Sequence, residues 1–221
     1  MDINKRLSWI GHASFYIKGG GFNIFVDPFR ISSLIKEKAD FVLITHAHMD
    51  HCSKDDILRV LKPEGEVICP QGCFEDGSFK NFTLSKPGFA AKLKSASVEA
   101  IPAYNTKKER LAFHPKENGW VGYIIDVGGF KIYHAGDTDH IDEMDGLRGI
   151  GASLLPIGGT YVMDVDEAIG AANAIKAEHS VPMHYKMLLG REGSARAEER
   201  FKSEAVNALV MKEEQPAEYS F

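Results

Sequence analysis

The chain has 221 residues, 44% of them hydrophobic, and a formal net charge of −5. This length suits one domain over residues 1–221, and the hydrophobic content is enough for a two-layered core. No stretch approaches the roughly 18 uninterrupted apolar residues of a membrane span, so a membrane-spanning helix is excluded as an interpretation.

The charge pattern limits the classes of partner. An acidic balance with scattered lysines and arginines argues against nucleic acid, whereas a small-molecule substrate, even a phosphorylated one, is compatible with the basic group Lys107, Lys108, Arg110 near Lys116. The N-terminal residues MDINKRLSWIGHASF contain charges with no apolar segment behind them, so a cytoplasmic protein is expected. Three cysteines cannot all pair, which favours reduced thiols. The oligomeric state stays open, with a homo-oligomer among the alternatives.

The first predicted elements are two strands. Leu7 to Ile17 and Phe22 to Val26 flank three glycines at 19–21, a pattern typical of a β-hairpin. His12, within the first strand, has two interpretations: a residue close to a functional site, or a histidine satisfied by hydrogen bonds in the sheet.

The most informative stretch is ADFVLITHAHMDHCSKDD at 39–56. Its apolar start predicts a buried strand, and the strand ends in a run of potential metal ligands, namely His46, His48, Asp50 and His51. Residues two apart in an extended segment point the same way, so the first two histidines can bind one ion, and the aspartate and third histidine can face a second. Ser53, three residues before Asp56, predicts a capped helix over 55–61.

Later elements alternate strands with helices. Strands are predicted at 66–69, 98–103, 152–157 and 181–184, a hairpin at 120–127 with 130–133, and helices at 164–176 and 194–209, while residues 71–97 are a loop with one or two short strands. The last helix should turn Phe201, Val206 and Leu209 inward, and the polar tail from Lys212 should be frayed. This order favours two mixed sheets packed face to face with helices outside.

The histidine-rich motif resembles the signature of the metallo-β-lactamase fold superfamily, HxHxDH, which His46, His48, Asp50 and His51 match letter for letter. The resemblance implies an α/β (α+β) fold, a four-layer αββα sandwich of two mixed β-sheets. It also implies metal-dependent hydrolysis with one or two zinc ions, manganese or iron being alternatives. A histidine at position 48, where the di-iron flavoproteins carry glutamate, favours the hydrolases.

Two later segments are similar to further motifs of the superfamily. Gly136-Asp137-Thr138 implies that Asp137 bridges the two ions, and a histidine that ends a late strand, His184, completes the second ion. The segments WIGHASF and HAGDT are similar to an ascorbate-6-phosphate lactonase-like branch, which also includes an N-acyl phosphatidylethanolamine phosphodiesterase. That similarity implies that Asp27 steadies the metal loop, an ordinary Asx-Pro turn being the alternative.

One expected histidine is missing, the ligand of the third motif. Asn105 stands at its place, and the nearest histidine is His114, nine residues later. Three alternatives remain open: His114 folds back as a ligand, Asn105 contributes a weak oxygen, or this ion is bound loosely. His114 is also a candidate catalytic residue that protonates or binds substrate.

Other residues receive weaker assignments. Those assignments are His134 as a support of the site, His140 and His179 as surface histidines, Cys52 as a supporting or buried thiol, and Tyr185 with residues 158–160 as pocket walls.

The predicted function is hydrolysis of a small-molecule ester, lactone or phosphodiester by a metal-activated water, which Asp50 could also orient. The alternatives are a tRNA-processing or RNA-processing metallonuclease and a non-catalytic metal-binding protein.

Overall fold

The computed structural model describes residue 3 and residues 6–74 and 77–214. Two six-stranded sheets form its centre. The first sheet contains, in spatial order, β1 (Leu7–Gly11), β2 (Ser14–Lys18), β3 (Asn23–Val26), β4 (Ala39–Leu43), β5 (Leu61–Pro70) and β6 (Phe82–Ser85). The second contains β12 (His179–Met183), β11 (Ala152–Pro156), β10 (Phe130–His134), β9 (Val121–Val127), β8 (Ala96–Pro102) and β7 (Ala90–Leu93).

Both sheets are mixed. The first is antiparallel from β1 to β3 and parallel from β3 to β6, and the second is antiparallel from β7 to β10 and parallel from β10 to β12. The helices are α1 (Lys54–Val60), α2 (Asp142–Asp145), α3 (Val165–Ile175) and α4 (Lys186–Glu204), with a 3-10 turn at Lys116–Asn118. None of the helices in these described ranges combines the length and apolarity of a membrane span.

The core follows the two-residue period of the strands. Ile24 and Leu43 of the first sheet pack in one cluster with Tyr123 and Leu154 of the second, so this cluster fills the space between the sheets. The alternate residues of the first sheet, Phe25 and Val42 among them, pack in a separate cluster that includes the α1 side chains. Helices α3 and α4 contact β11 and β12. The predicted four-layer αββα sandwich of two mixed β-sheets is confirmed.

Local capping places the helices as the sequence predicts. The Ser53 hydroxyl accepts from the Asp56 backbone at the start of α1. Asp164 and Glu167 form a reciprocal capping box at the start of α3, which satisfies N–H groups that the helix leaves free. The two short strands β6 and β7 lie within the 71–97 segment, as expected.

The boundaries of the first predicted strand and of the last predicted helix are wrong. The strand predicted over Leu7 to Ile17 divides at His12 into the β1–β2 hairpin, because the chain adopts positive φ at Gly11 and His12. Helix α4 begins at Lys186 and ends at Glu204, so Val206 and Leu209 lie beyond it. Its first turn is kinked at Gly190, which the apolar period of the later turns does not reveal.

The tail from Lys212 is not frayed over its described part. Glu213 is only 5% exposed, and the Glu214 N–H donates to the Trp9 carbonyl of β1. Residues 215–221 of the predicted tail lie outside the described residues. Strand β1 therefore holds the end of the described chain through a backbone hydrogen bond.

Asp40, near the start of β4, forms ion pairs with Lys62 and Lys94, and these pairs make the stability of the fold depend on pH. Partial burial would raise the pKa of Asp40, but hydrogen bonds from Lys62 and Lys94 lower it to about 2. A lowered folded pKa stabilises the protein fully above the unfolded value near 4, and the contribution is lost as pH falls through about 2. Asp40→Asn should therefore lower the free energy of unfolding at pH 7 by about 1 kcal/mol or less, since both lysines are half exposed.

Urea unfolding in excess chelator measures this difference, which should shrink steadily as pH falls from about 4 toward 2. Glu64→Gln is the control, because the Lys80–Glu64 pair is exposed and should contribute little. A difference for Asp40→Asn that is constant from pH 7 to pH 3 would contradict the assignment.

Candidate metal centre

The four residues of the HxHxDH motif follow the carboxyl end of β4, an inner strand of the first sheet. Backbone hydrogen bonds from the His51 and Cys52 N–H groups to the His48 carbonyl close a turn between the strand and α1. The turn directs the first two histidines to one side and the next two ligands to the other. The motif therefore contributes to two separate clusters.

The first cluster consists of His46, His48 and His114, whose ligand atoms all lie within 4.8 Å of one another. His46 Nε2 lies 3.1 Å from His48 Nδ1. His46 and His114 are each 1% exposed. Three imidazoles from two distant segments of the chain therefore lie close enough to bind one ion.

The second cluster consists of His12, Asp50, His51 and His184, again within 4.8 Å. His184 Nε2 lies 3.1 Å from His51 Nε2 and 3.6 Å from Asp50 Oδ2. His12 Nε2 hydrogen-bonds Asp50 Oδ2 at 2.9 Å. Of the two interpretations of His12, the structure favours the one close to the site.

Asp137 lies between the clusters. Its Oδ2 is 3.3 Å from His114 Nε2 and 3.2 Å from His184 Nε2, and its Oδ1 is 3.3 Å from His51 Nε2. Gly136 makes this placement feasible, because its φ is +67° and a Cβ there would lie 2.9 Å from the Val121 carbonyl. One carboxylate therefore reaches ligands of both clusters.

The structure also shows what stands at the place of the missing histidine. His114 Nδ1 donates to Asn105 Oδ1 at 2.8 Å, and the Asn105 N–H donates to the His114 carbonyl at 2.9 Å. The amide of Asn105 donates to Asp139 and to the Tyr161 carbonyl. Asn105 is thus outside both clusters, and it directs the free Nε2 of His114 toward Asp137.

Oxygen acceptors orient two of the motif histidines as well. Asp27, fully buried, accepts from His51 Nδ1 at 2.7 Å and from both the backbone N–H and the hydroxyl of Thr45. The same hydroxyl lies 3.0 Å from His46 Nδ1. In each case the hydrogen bond holds the proton on Nδ1 and leaves Nε2 as a lone pair facing the cluster. Asp27 steadies the loop, as the resemblance implies.

His134 supports the next loop without reaching either cluster. Its Nε2 donates to the Ala13 carbonyl, and its Nδ1 accepts from the Gly136 N–H. His140 pairs with Asp145, and His179 begins β12, both away from the clusters. The Cys52 thiol donates to the Cys73 carbonyl, and all three cysteines are free, as expected.

The two clusters are suited to cations. Among the described residues, His114 Nε2 and Asp137 Oδ1 are buried polar atoms without a hydrogen-bond partner, and both point into the site. Buried polar groups are normally paired, so a cation between them would supply the missing interaction. Imidazole nitrogens and carboxylate oxygens are the donors that zinc binds.

Without a cation, the site buries ionisable side chains next to one another, and burial and the neighbouring charges shift their pKa values. Burial opposes ionisation of His184, but the Asp137 and Asp50 carboxylates together outweigh it and raise the pKa of His184 to about 9. Burial would raise the pKa of Asp137, and the neighbouring His184 and His51 instead hold it well below its usual range. Burial, and next the adjacent His184, lower the pKa of His12 to about 4. Backbone strain coincides with this site, since His12, Asp27 and His184 adopt positive φ.

A cavity of about 270 Å³ opens onto the clusters. It is lined by His48, Asp50, Phe113, His114, Asp137, Tyr161 and His184. The predicted walls at 158–160 and Tyr185 do not line it: Tyr185 is fully buried and stacks on Trp9. The two aromatic walls were missed because they lie in loops, where no periodic pattern marks a side chain as pocket-facing.

Comparisons with known proteins identify the family of the chain. The model of the beta-lactamase superfamily domain matches residues 6–184. A UPF0173 metal-dependent hydrolase of Thermoplasma volcanium is 34% identical over 200 residues, covering 84% of each chain. A second UPF0173 metal-dependent hydrolase, from Nitratidesulfovibrio vulgaris, is also 34% identical and is covered over 81% of its length.

Solved structures share the fold. A protein of Parabacteroides distasonis superimposes with a TM-score of 0.82 and 30% identity over 95% of this chain and 93% of its own. Igni18, a metallo hydrolase from Ignicoccus hospitalis, gives a TM-score of 0.73 with 26% identity over 95% of each chain. The similarity to the lactonase-like branch stays a prediction. The chain therefore belongs to the metallo-β-lactamase superfamily, in its UPF0173 group of metal-dependent hydrolases.

Proposed function

We propose that this hydrolase binds two divalent cations and cleaves a small-molecule ester, lactone or phosphodiester within one domain. The observation that carries the proposal is the position of Asp137, whose carboxylate lies within 3.3 Å of ligands from both clusters. A carboxylate shared by two ions is the usual bridge of binuclear hydrolytic sites.

The ligands divide between the two clusters. His46, His48 and His114 would hold one cation, Asp50, His51 and His184 the other, and Asp137 would be shared. Zinc suits this mixture of nitrogen and oxygen donors, while manganese and iron accept the same types of ligand. His114 belongs with the ligands rather than with the proton donors, since its Nδ1 is bonded to Asn105 and its Nε2 faces Asp137.

The cations would lower the pKa of a water molecule and stabilise negative charge on the substrate oxygen. Asp50 is placed to orient that water, because its side chain is 38% exposed and lines the cavity. The hydrogen bond from His12 holds the Asp50 carboxylate in position. Asp50 can accept a proton from the water as a general base and then donate it to the leaving oxygen as a general acid.

An RNA substrate is less well supported. The chain has a net charge of −5, and Arg110 of the only short basic group in the sequence is 3% exposed and paired with Glu167. Binding of RNA depends on several exposed cations that neutralise phosphates. A non-catalytic metal-binding protein would not need a cavity that opens onto both clusters.

Metal titration of variants tests the ligand set. The wild type should bind two zinc ions per chain, and His114→Ala should bind one, because the first cluster loses a nitrogen that no neighbour replaces. Asn105→Ala should still bind two zinc ions. The affinity of the first cluster, which contains His114, should fall by about tenfold to hundredfold, the usual effect of removing a partner that orients a ligand.

His140→Ala is the matched control, since His140 lies outside both clusters and should leave stoichiometry and affinity unchanged. Two tightly bound ions in His114→Ala would contradict the assignment of this histidine. Full occupancy without hydrolysis of any ester, lactone or phosphodiester in a broad panel would contradict the catalytic proposal.

A further inference from the structure

The cavity beside the metal centre has aromatic walls. Its lining adds only Phe113 and Tyr161 to five of the candidate ligands. The two rings meet edge to face with centroids 4.8 Å apart. Tyr161 is 39% exposed, and Leu111, two residues before Phe113, is 46% exposed. A substrate bound in this cavity can therefore contact the two aromatic rings as well as the candidate ligands.

Two basic residues of the loop that carries Phe113, Arg110 and Lys107, are paired with acidic side chains. Arg110 is 3% exposed, with Nη2 2.7 Å from the Glu167 carboxylate and Nε 3.1 Å from Asp139. Lys107 Nζ lies 2.8 Å from the same glutamate. The positive charges of Arg110 and Lys107 are therefore paired with the carboxylates of Glu167 and Asp139.

Lys116 contacts an aromatic ring and a carboxylate. Its ammonium lies 4.2 Å from the Tyr104 ring centroid and 3.6 Å from a Glu143 oxygen. Among the residues lining the cavity there is no lysine or arginine. A phosphate located away from the reacting bond would lose its hydration against aromatic rings and gain no cationic partner, which is unfavourable.

We infer that the substrate is an uncharged carboxylic ester or lactone whose apolar group contacts Phe113 and Tyr161, and that it carries no phosphate away from the cleaved bond. The inference rests on the proposed hydrolytic function and narrows its substrate class. Water adds to the carbonyl carbon and the bond from that carbon to the ester oxygen breaks. The alcohol oxygen takes the proton lost by the water, so an ester gives a carboxylic acid and an alcohol, and a lactone gives a single hydroxy acid.

Paired lactones test the inference on the zinc-loaded protein. The probes are γ-phenyl-γ-butyrolactone and the same ring carrying a phosphorylated hydroxymethyl group in place of phenyl. We expect kcat/KM for the phenyl compound to be at least about tenfold higher. Phe113→Ala should lower that value by about tenfold to hundredfold, mainly through KM, the range typical of lost apolar contacts in a pocket.

A charge-adding variant makes the opposite prediction. Tyr161→Lys introduces a cation at a partly exposed position of the wall, so it should raise kcat/KM for the phosphorylated lactone several-fold and lower that for the phenyl lactone. Leu84→Ala is the control, because Leu84 is an exposed apolar residue of β6 that does not line the cavity. It should change neither value.

Binding without turnover separates this inference from the proposed function. The non-hydrolysable γ-phenyl-γ-butyrolactam, titrated calorimetrically, should bind the wild type about tenfold more tightly than Phe113→Ala. Lactam binding that depends on Phe113, with no lactone or ester hydrolysed by the zinc-loaded protein, would reject the hydrolytic function and keep the apolar subsite. A preference for the phosphorylated lactone, or lactam affinity unaffected by Phe113→Ala, would overturn the inference.

Discussion

Asp137→Asn is expected to lower kcat/KM by about a thousandfold, which corresponds to about 4 kcal/mol of lost transition-state stabilisation. The carboxylate reaches His114 and His184 with one oxygen and His51 with the other. An amide has a single acceptor oxygen, and its NH₂ group would face a cation or a histidine nitrogen with the wrong polarity. One residue change should therefore affect both clusters at once.

Zinc content and steady-state kinetics on an uncharged ester measure the effect of Asp137→Asn. The variant should hold one zinc ion or none at concentrations that saturate both sites of the wild type. Asp145→Asn is the control, since the Asp145 side chain is 60% exposed and pairs only with His140 among the described residues near it. An Asp137→Asn protein with two tightly bound ions and near-normal kcat/KM would refute the shared-ligand assignment.

Asp27→Asn is expected to abolish cation binding at the second cluster. Asp27 is not one of the candidate ligands of that cluster, but it hydrogen-bonds His51, which is. The carboxylate accepts the Nδ1 proton of His51 at 2.7 Å and also accepts from the Thr45 hydroxyl. In the variant, an amide NH₂ would point at Nδ1 and favour the tautomer protonated at Nε2. His51 would then present a proton, rather than a lone pair, to the cation.

The expected result is one zinc ion per chain and a loss of about hundredfold in kcat/KM, at the upper end of what removal of such a partner costs. Because Asp27 is fully buried, the variant should also be less stable by about 1–3 kcal/mol. Metal content is therefore measured on protein shown to be folded by circular dichroism, with Asp166→Asn as an exposed control. A folded Asp27→Asn protein that binds both ions with wild-type affinity would disprove the tautomer argument.

Several features of the centre follow from local sequence. The apolar run at 39–45 predicts β4, and the clustered His46, His48, Asp50 and His51 predict ligands at its end, because a strand and the turn after it dictate which way successive side chains point. Gly136 likewise predicts the inward turn of Asp137. The alternation of apolar residues along the strands predicts the two packed sheets.

Other features depend on contacts between distant segments, which no local pattern encodes. Asn105 and His114 are joined by two hydrogen bonds across a nine-residue loop, and only those bonds decide that the imidazole enters the first cluster. His12 reaches Asp50 because it lies in the turn that joins β1 to β2. Phe113 and Tyr161 become cavity walls because their two loops meet.

The sequence by itself therefore determined the superfamily, the layered fold and those candidate ligands whose direction a strand or glycine turn prescribes. The tertiary structure alone decided the third imidazole of the first cluster, the partner of Asp50 and the apolar walls. The physical reason is that strand periodicity is set by the backbone over a few residues, whereas loop side chains are directed by hydrogen bonds and ring contacts formed only when the two sheets have packed.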